Sequence, residues 1–207
     1  MAYLASPNAA SAIRARVPDA KILMMLRDPA ERLFAHYTAA TASGAWRGSF
    51  ADWLEHHQAL ETQRSPIWGP IWAGRYAQHL EHFREHFHTD HLHVSYYDDF
   101  VANPAEVLRN IFRFLDVSPD VRVNVTTRHN VTTVPRWPAV EALRAPFSAA
   151  ARQLLPARVL ARAQAASRAP QRATATPAER ALSLRLYLED ITHLEALTGR
   201  DLSGWRE

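Results

Sequence analysis

KILMMLRDPAERLFAHY, residues Lys21–Tyr37, joins two kinds of patterning at one point. Ile22 to Leu26 is a continuous apolar run of strand length, the pattern of a strand buried in a sheet. Arg27-Asp28-Pro29-Ala30-Glu31 then carries helix-start chemistry. Asp28 suits the N-cap, Pro29 the first helical position, and Glu31 the return half of a capping box. Leu33, Phe34 and Tyr37 follow at helical spacing. A strand feeding a helix in this way sets unpaired backbone N–H groups at the carboxyl end of a sheet, where α/β proteins bind phosphorylated ligands. Arg27 stands at the junction, and its planar guanidinium fork matches phosphate.

Outward from this stretch the chain alternates. A short helix over residues 3–17 precedes it, turned by Pro18-Asp19. Ser49 caps a helix with Phe50, Trp53, Leu54, His57 and Leu60 as an apolar stripe. Two prolines and Gly69 interrupt residues 65–72, where Trp68 and Trp72 make either a packed surface loop or a cleft wall. Gly74-Arg75-Tyr76 opens a helix with Tyr76, Leu80, Phe83 and Phe87 on one face. His79, His82 and His86 share a neighbouring strip. His82 and His86 have the i, i+4 spacing of a metal pair, but the His-Glu-x-x-His order is absent and no third ligand stands out. A solvated, titratable face is therefore expected there, and no metal.

Leu92, Val94 and Tyr96 alternate with polar neighbours as a second strand, ended by Asp98-Asp99. Asn103-Pro104-Ala105-Glu106 and Thr176-Pro177-Ala178-Glu179 are two further capping boxes. The first opens a helix with Val107, Leu108, Ile111, Phe112 and Leu115. The second opens a helix carrying Leu184, Leu188, Ile191 and Leu194 as far as Gly199. Residues 118–138 read as an irregular cationic loop with Arg128, His129, Asn130 and Arg136, and helical segments are expected over 139–155. Residues 165–176 are low in complexity, a linker or mobile flap. Strand, helix, strand, helix in this order predicts an α/β fold with right-handed crossovers and a parallel sheet flanked by helices.

The chain has 207 residues, no cysteine and a formal charge of +3. That excludes disulfides, thiolate catalysis and cysteine-based zinc sites. No run approaches the ~20 apolar residues of a membrane span, and the first residues lack a secretory apolar core, so a cytoplasmic location is expected. Lys21 is the only lysine, and the arginines are dispersed without interleaved aromatics, so nucleic acid is not an expected partner.

The ordered set of motifs resembles the sulfotransferases that use 3′-phosphoadenosine 5′-phosphosulfate (PAPS), most nearly the bacterial and heparan-sulfate branch. Arg27, Pro29, Arg32 and Tyr37 match the family's Arg-x-Pro-x-x-Arg-x-x-Ser-x-Tyr segment. Gly74-Arg75-Tyr76, Tyr97-Asp98-Asp99-Phe100, Asn103-Pro104, Phe114-Leu115, Arg128-His129-Asn130 and Gly199 to Trp205 follow in the family's order. The resemblance implies a P-loop-type three-layer fold, a single domain over residues 1–207, and PAPS as co-substrate. The acceptor hydroxyl or amine would belong to a small molecule, a lipid or a glycan. It implies that Arg27 and position 35 hold the 3′-phosphate, that Arg128, His129 and Asn130 close over the nucleotide, and that Gly74 and Tyr76 border the acceptor cleft. Arg32 is expected to brace the motif helix and Tyr37 to pack.

Two departures follow from the same resemblance. Ala35 replaces the family's serine, removing one hydroxyl donor to the phosphate. No Gly-rich loop with a lysine occurs in these residues, so the chain is expected to be the C-terminal part of the domain, with the first strand and phosphate loop absent. An uncovered strand edge or apolar face, and self-association, are expected from that. No histidine stands out as the catalytic base. The alternative function is a non-catalytic nucleotide- or partner-binding remnant of the same fold. A kinase-like phosphotransferase would need Asp98 or Asp99 on Mg²⁺ beside a phosphate loop.

Overall fold

The apolar run becomes strand β1 (Ile22–Leu26), and it pairs in parallel with β2 (Leu92–Tyr96), Ile22 opposite Leu92 and Leu26 opposite Tyr96. A parallel pair needs a long crossover. Here it holds α2 (Pro29–Ala42), α3 (Phe50–Gln63) and α4 (Tyr76–Arg84), while α1 (Ala9–Arg16) precedes β1. After β2 come α5 (Tyr97–Ala102) and α6 (Pro104–Phe114). The architecture is thus the α/β arrangement expected, helices with a parallel sheet. This computed structural model describes residues 4–63, 69–121, 123–124, 133–135, 168–170 and 174–207.

Two compact units divide the chain. The first comprises Met1–Tyr37, Gly48–Thr127 and Thr174–Glu207, the second Thr38–Arg47 and Arg128–Ala173. The described strands of the second unit are β3 (Thr133–Pro135) and β4 (Arg168–Pro170), an antiparallel pair in segments that read from sequence as loop and linker. Trp68, Arg128, His129, Asn130, the helical segments expected over 139–155 and half of residues 165–176 lie outside the described residues.

In the first unit the core follows the periodicities. Met24 and Leu26 are buried, whereas Leu23 and Met25, alternating with them, are 42% and 37% exposed. β1 is therefore packed on one face among the described residues, where a continuous apolar run suggests burial on both. Leu33, Phe34, Phe50, Trp53 and Leu54 are buried, and Phe34 meets Phe50 edge-on with ring centroids 5.2 Å apart, joining α2 to α3. Tyr37 packs on Phe50 with ring centroids 5.2 Å apart, and its hydroxyl donates to the Gly48 carbonyl at 3.0 Å. Along α4, Tyr76, Leu80 and Phe83, together with Phe87 just beyond it, are buried as their spacing predicts.

The last helical region differs from expectation. One helix from Pro177 toward Gly199 becomes α7 (Pro177–Leu184) and α8 (Leu188–Thr198). Between them Leu186 N–H and Tyr187 N–H donate to Ser183 and Leu184, a tighter three-residue turn. The break swings Tyr187 inward, where its hydroxyl donates to the Ile71 carbonyl at 3.1 Å, and leaves Leu188 exposed. α8 ends at Gly199 in the left-handed region, φ +66°, where glycine is unstrained. No helix among the described residues is long and apolar enough to cross a membrane.

Candidate functional site

Helix α2 starts as its residues dictate. Asp28 Oδ1 accepts from Ala30 N–H at 2.8 Å and Glu31 N–H at 3.2 Å, and Pro29 occupies the first helical position without needing a partner for a donor it lacks. Asp28 is 5% exposed, and its other oxygen takes Arg180 Nη1 of α7 at 2.8 Å. Two of the helix's first donors are thus already answered by a buried carboxylate. The open N–H cradle that the strand-to-helix pattern suggests is occupied from within.

Arg27 is the cation this leaves at the carboxyl end of β1. It is half-buried, its guanidinium carbon lies 5.2 Å from the centroid of Tyr97, and Nη2 donates to Glu31 Oε2 at 2.7 Å. Its Nε is buried without a hydrogen-bond partner among the described residues. Arg27 with Glu31, and Asp28 with Arg180, make two balanced pairs side by side. Any anion that reached Nη2 would compete with Glu31 for it, one charge-assisted hydrogen bond against another.

Arg32, one turn further on, is buried and donates to the Pro70 carbonyl, which fastens α2 to the segment before α4. Ala35 is half-buried and offers no donor. Lys21 is committed to the Phe114 carbonyl at 2.7 Å and to Asp116, tying β1 to the end of α6. Asp98 accepts from Trp205 Nε1 at 2.9 Å and Asp99 from Arg200 at 2.7 Å. These acids hold the C-terminal segment against the start of α5.

Gly74 and Tyr76 are both interior. A Cβ at Gly74 would lie 2.8 Å from the Tyr187 ring, and Tyr76 is 1% exposed. Burial pushes the Tyr76 phenol above its ordinary pKa, against the pull of the Arg32 guanidinium. Arg75, between them, lines a cleft of about 330 Å³ together with Gln58, Glu61, Thr62, Ile71 and Leu186. Glu61 Oε1 accepts from Trp72 N–H at 2.6 Å, and Oε2 lies 3.7 Å from Arg75. Burial raises the Glu61 pKa, opposed by the Trp72 N–H and the Arg75 charge. Asp190 of α8, also buried, reaches the start of α4 and accepts from Ala77 N–H at 3.1 Å. Arg180, Asp190, Tyr187 and Glu61 carry no local signal in the sequence, because each acts on a partner distant along the chain.

Comparison with known proteins places this geometry. A model of the sulfotransferase family matches residues 5–122, more than half of the chain. The chain belongs to the sulfotransferase family. A bifunctional heparan sulfate N-deacetylase/N-sulfotransferase of Drosophila melanogaster is 30% identical over 124 residues, 56% of this chain and 12% of that protein. Heparan sulfate glucosamine 3-O-sulfotransferase 6 of Homo sapiens is 27% identical over 127 residues, 61% of this chain and 35% of that protein. The chain therefore spans well under two thirds of these relatives' length. The crystal structure of a sulfotransferase from Alicyclobacillus acidocaldarius shares the fold, with a TM-score of 0.70 at 24% identity over 99% of this chain and 65% of that one.

Proposed function

We propose that this chain supplies the 3′-phosphate side of a PAPS site, in a protein that transfers the sulfuryl group to an acceptor hydroxyl or amine. The observation that carries the reading is Arg27, a cation at the carboxyl end of a parallel strand and the start of α2, within the residues the family model matches. In the reaction the acceptor oxygen or nitrogen bonds to sulfur, the bond from sulfur to the bridging phosphate oxygen breaks, and a general base takes the acceptor proton. Arg27 binds and orients the nucleotide by exchanging Glu31 for phosphate. Ala35 leaves the phosphate one hydrogen bond short, a loss of about 1.5–3 kcal/mol for a bond to a charged group. Arg128, His129 and Asn130, outside the described residues, are motif positions that this reading assigns to the nucleotide.

Gly74 and Tyr76 shape the acceptor side from behind, and Arg75 and Glu61 face the acceptor in the cleft between α3, the segment before α4 and Leu186. The relatives' names favour a glycan acceptor, and a guanidinium suits an anionic one. Titrating 3′-phosphoadenosine 5′-phosphate into the protein by calorimetry tests the reading. Saturable binding that Arg27→Ala weakens by at least about tenfold, the equivalent of one charged hydrogen bond, supports it. No binding at millimolar ligand overturns it. A second reading, nucleotide binding without catalysis, draws on the Glu31 carboxylate already seated on Arg27. Binding of the bisphosphate without turnover of PAPS selects that one.

A further inference from the structure

We propose that His82, Glu85 and His86, at the C-terminal end of α4, form a site for one divalent transition-metal ion of the Zn²⁺ class, separate from the nucleotide site. His82 lies in the last turn of α4, and Glu85 and His86, at i+3 and i+4 from it, fall in the turn that follows. Glu85 supplies the third ligand that is not evident when the histidines are read alone. One ligand atom from each residue lies within 4.8 Å of the others. His82 Nδ1 and Glu85 Oε2 are 3.3 Å apart. Two ligands on a tetrahedral ion with bonds of ~2.0–2.1 Å stand about 3.4 Å apart, so this pair is already at metal-binding spacing.

The rings of His82 and His86 meet edge-on, centroids 5.2 Å apart. Glu85 is exposed and His86 half-buried, so the remaining closure is a rotation of side chains and requires no backbone movement. His82 Nε2 is buried with no hydrogen-bond partner among the described residues, which leaves that ring nitrogen uncommitted as well. The helix end adds to the attraction, since the last carbonyls of α4 favour a cation. The neighbouring cation is held elsewhere, because Arg84 donates to the Leu197 carbonyl at 2.9 Å. Two imidazoles and a carboxylate suit Zn²⁺, Ni²⁺ or Cu²⁺ over Mg²⁺ or Ca²⁺, with a fourth position open to water.

The test is a Zn²⁺ titration of the metal-free protein against a chromophoric chelator, with far-UV circular dichroism on every variant. The chain has 11 histidines, so the result rests on the loss of one particular site. Wild type should bind one Zn²⁺ that His86→Ala weakens by more than about tenfold, that Glu85→Gln also weakens, and that His56→Ala leaves unchanged. Co²⁺ in its place should give the visible absorption of a tetrahedral site, lost in His86→Ala. Equal zinc stoichiometry and affinity in wild type and His86→Ala overturns the proposal. Loss in His86→Ala with Glu85→Gln unchanged overturns the three-ligand assignment.

Discussion

Asp28 and Arg180 stand 152 residues apart in the chain and share a 2.8 Å ion pair at the start of α2. The same Asp28 carboxylate caps the helix, so the pair couples the Arg27 junction to α7. Arg180→Ala strands a buried carboxylate that keeps only its two N–H donors. The expected cost is about 2–3 kcal/mol, read as a lower midpoint in urea denaturation. Asp28→Asn in the Arg180→Ala background should recover part of the loss, since the amide oxygen can still cap and no charge is left buried. A double variant no more stable than the single one refutes this coupling.

Glu31 competes for Arg27 with any anion that binds there. Glu31→Gln weakens that competition while leaving Arg27 in place, and should tighten binding of the adenosine bisphosphate about two- to fivefold, the scale of a surface ion pair. Arg27→Ala moves affinity in the opposite direction. Equal affinity in Glu31→Gln and wild type means the pair does not gate the site.

Gly74 has no room for a methyl group. Its Cβ would lie 2.8 Å from the Tyr187 ring, and that ring is held by its own hydrogen bond to Ile71. Gly74→Ala should destabilise by about 1–3 kcal/mol through overpacking, measured by thermal melting. Tyr187→Leu in the same chain removes the clash, so the penalty of Gly74→Ala should shrink in that background. An undiminished penalty would mean that the alanine acts on the backbone.

His57 rests on Trp53, centroids 4.3 Å apart, and its pKa is lowered from the ordinary 6.5 to about 4 by burial first, then by the charges of His56 and His36. The folded form therefore favours the neutral ring. Above pH 6.5 neither state is protonated and the contribution is complete; as pH falls toward 4 the unfolded chain gains a proton that the folded one refuses, and stability is lost. His36, lowered by burial and by Arg32, acts in the same direction. His57→Phe keeps an aromatic ring on Trp53 without the titration, and its melting temperature should fall less than wild type between pH 7 and pH 5. Parallel pH profiles for the two proteins rule His57 out.

Much of this fold was legible because its chemistry is local. Asp28, Asn103 and Thr176 each stand before a proline at the first helical position, and each accepts from the backbone N–H three residues on. The alternating run Leu92 to Tyr96 and the apolar run Ile22 to Leu26 announced the strands that pair. The break between α7 and α8 was hidden, because Tyr187 turns inward only where Gly74 leaves space for it. Arg27 is legible as the junction cation from its position alone. Its engagement by Glu31 follows from the same four-residue spacing but was masked by the capping-box reading, which gave Glu31 another task. Glu85 carries no such signal, because the His-Glu-x-x-His order places its carboxylate after the first histidine and not before the second.

The clasp of Asp98 on Trp205 and Asp99 on Arg200 implies an order of assembly. During synthesis β1 can pair with β2 once Tyr96 is made, but Asp28, Asp98 and Asp99 still await partners that come from Arg180 onward. Until then the carboxyl edge of the strands carries uncompensated negative charge and repels anions. The arrival of Arg180 and Arg200 neutralises that edge, so its charge balance is set by residues far along the chain from the strands themselves.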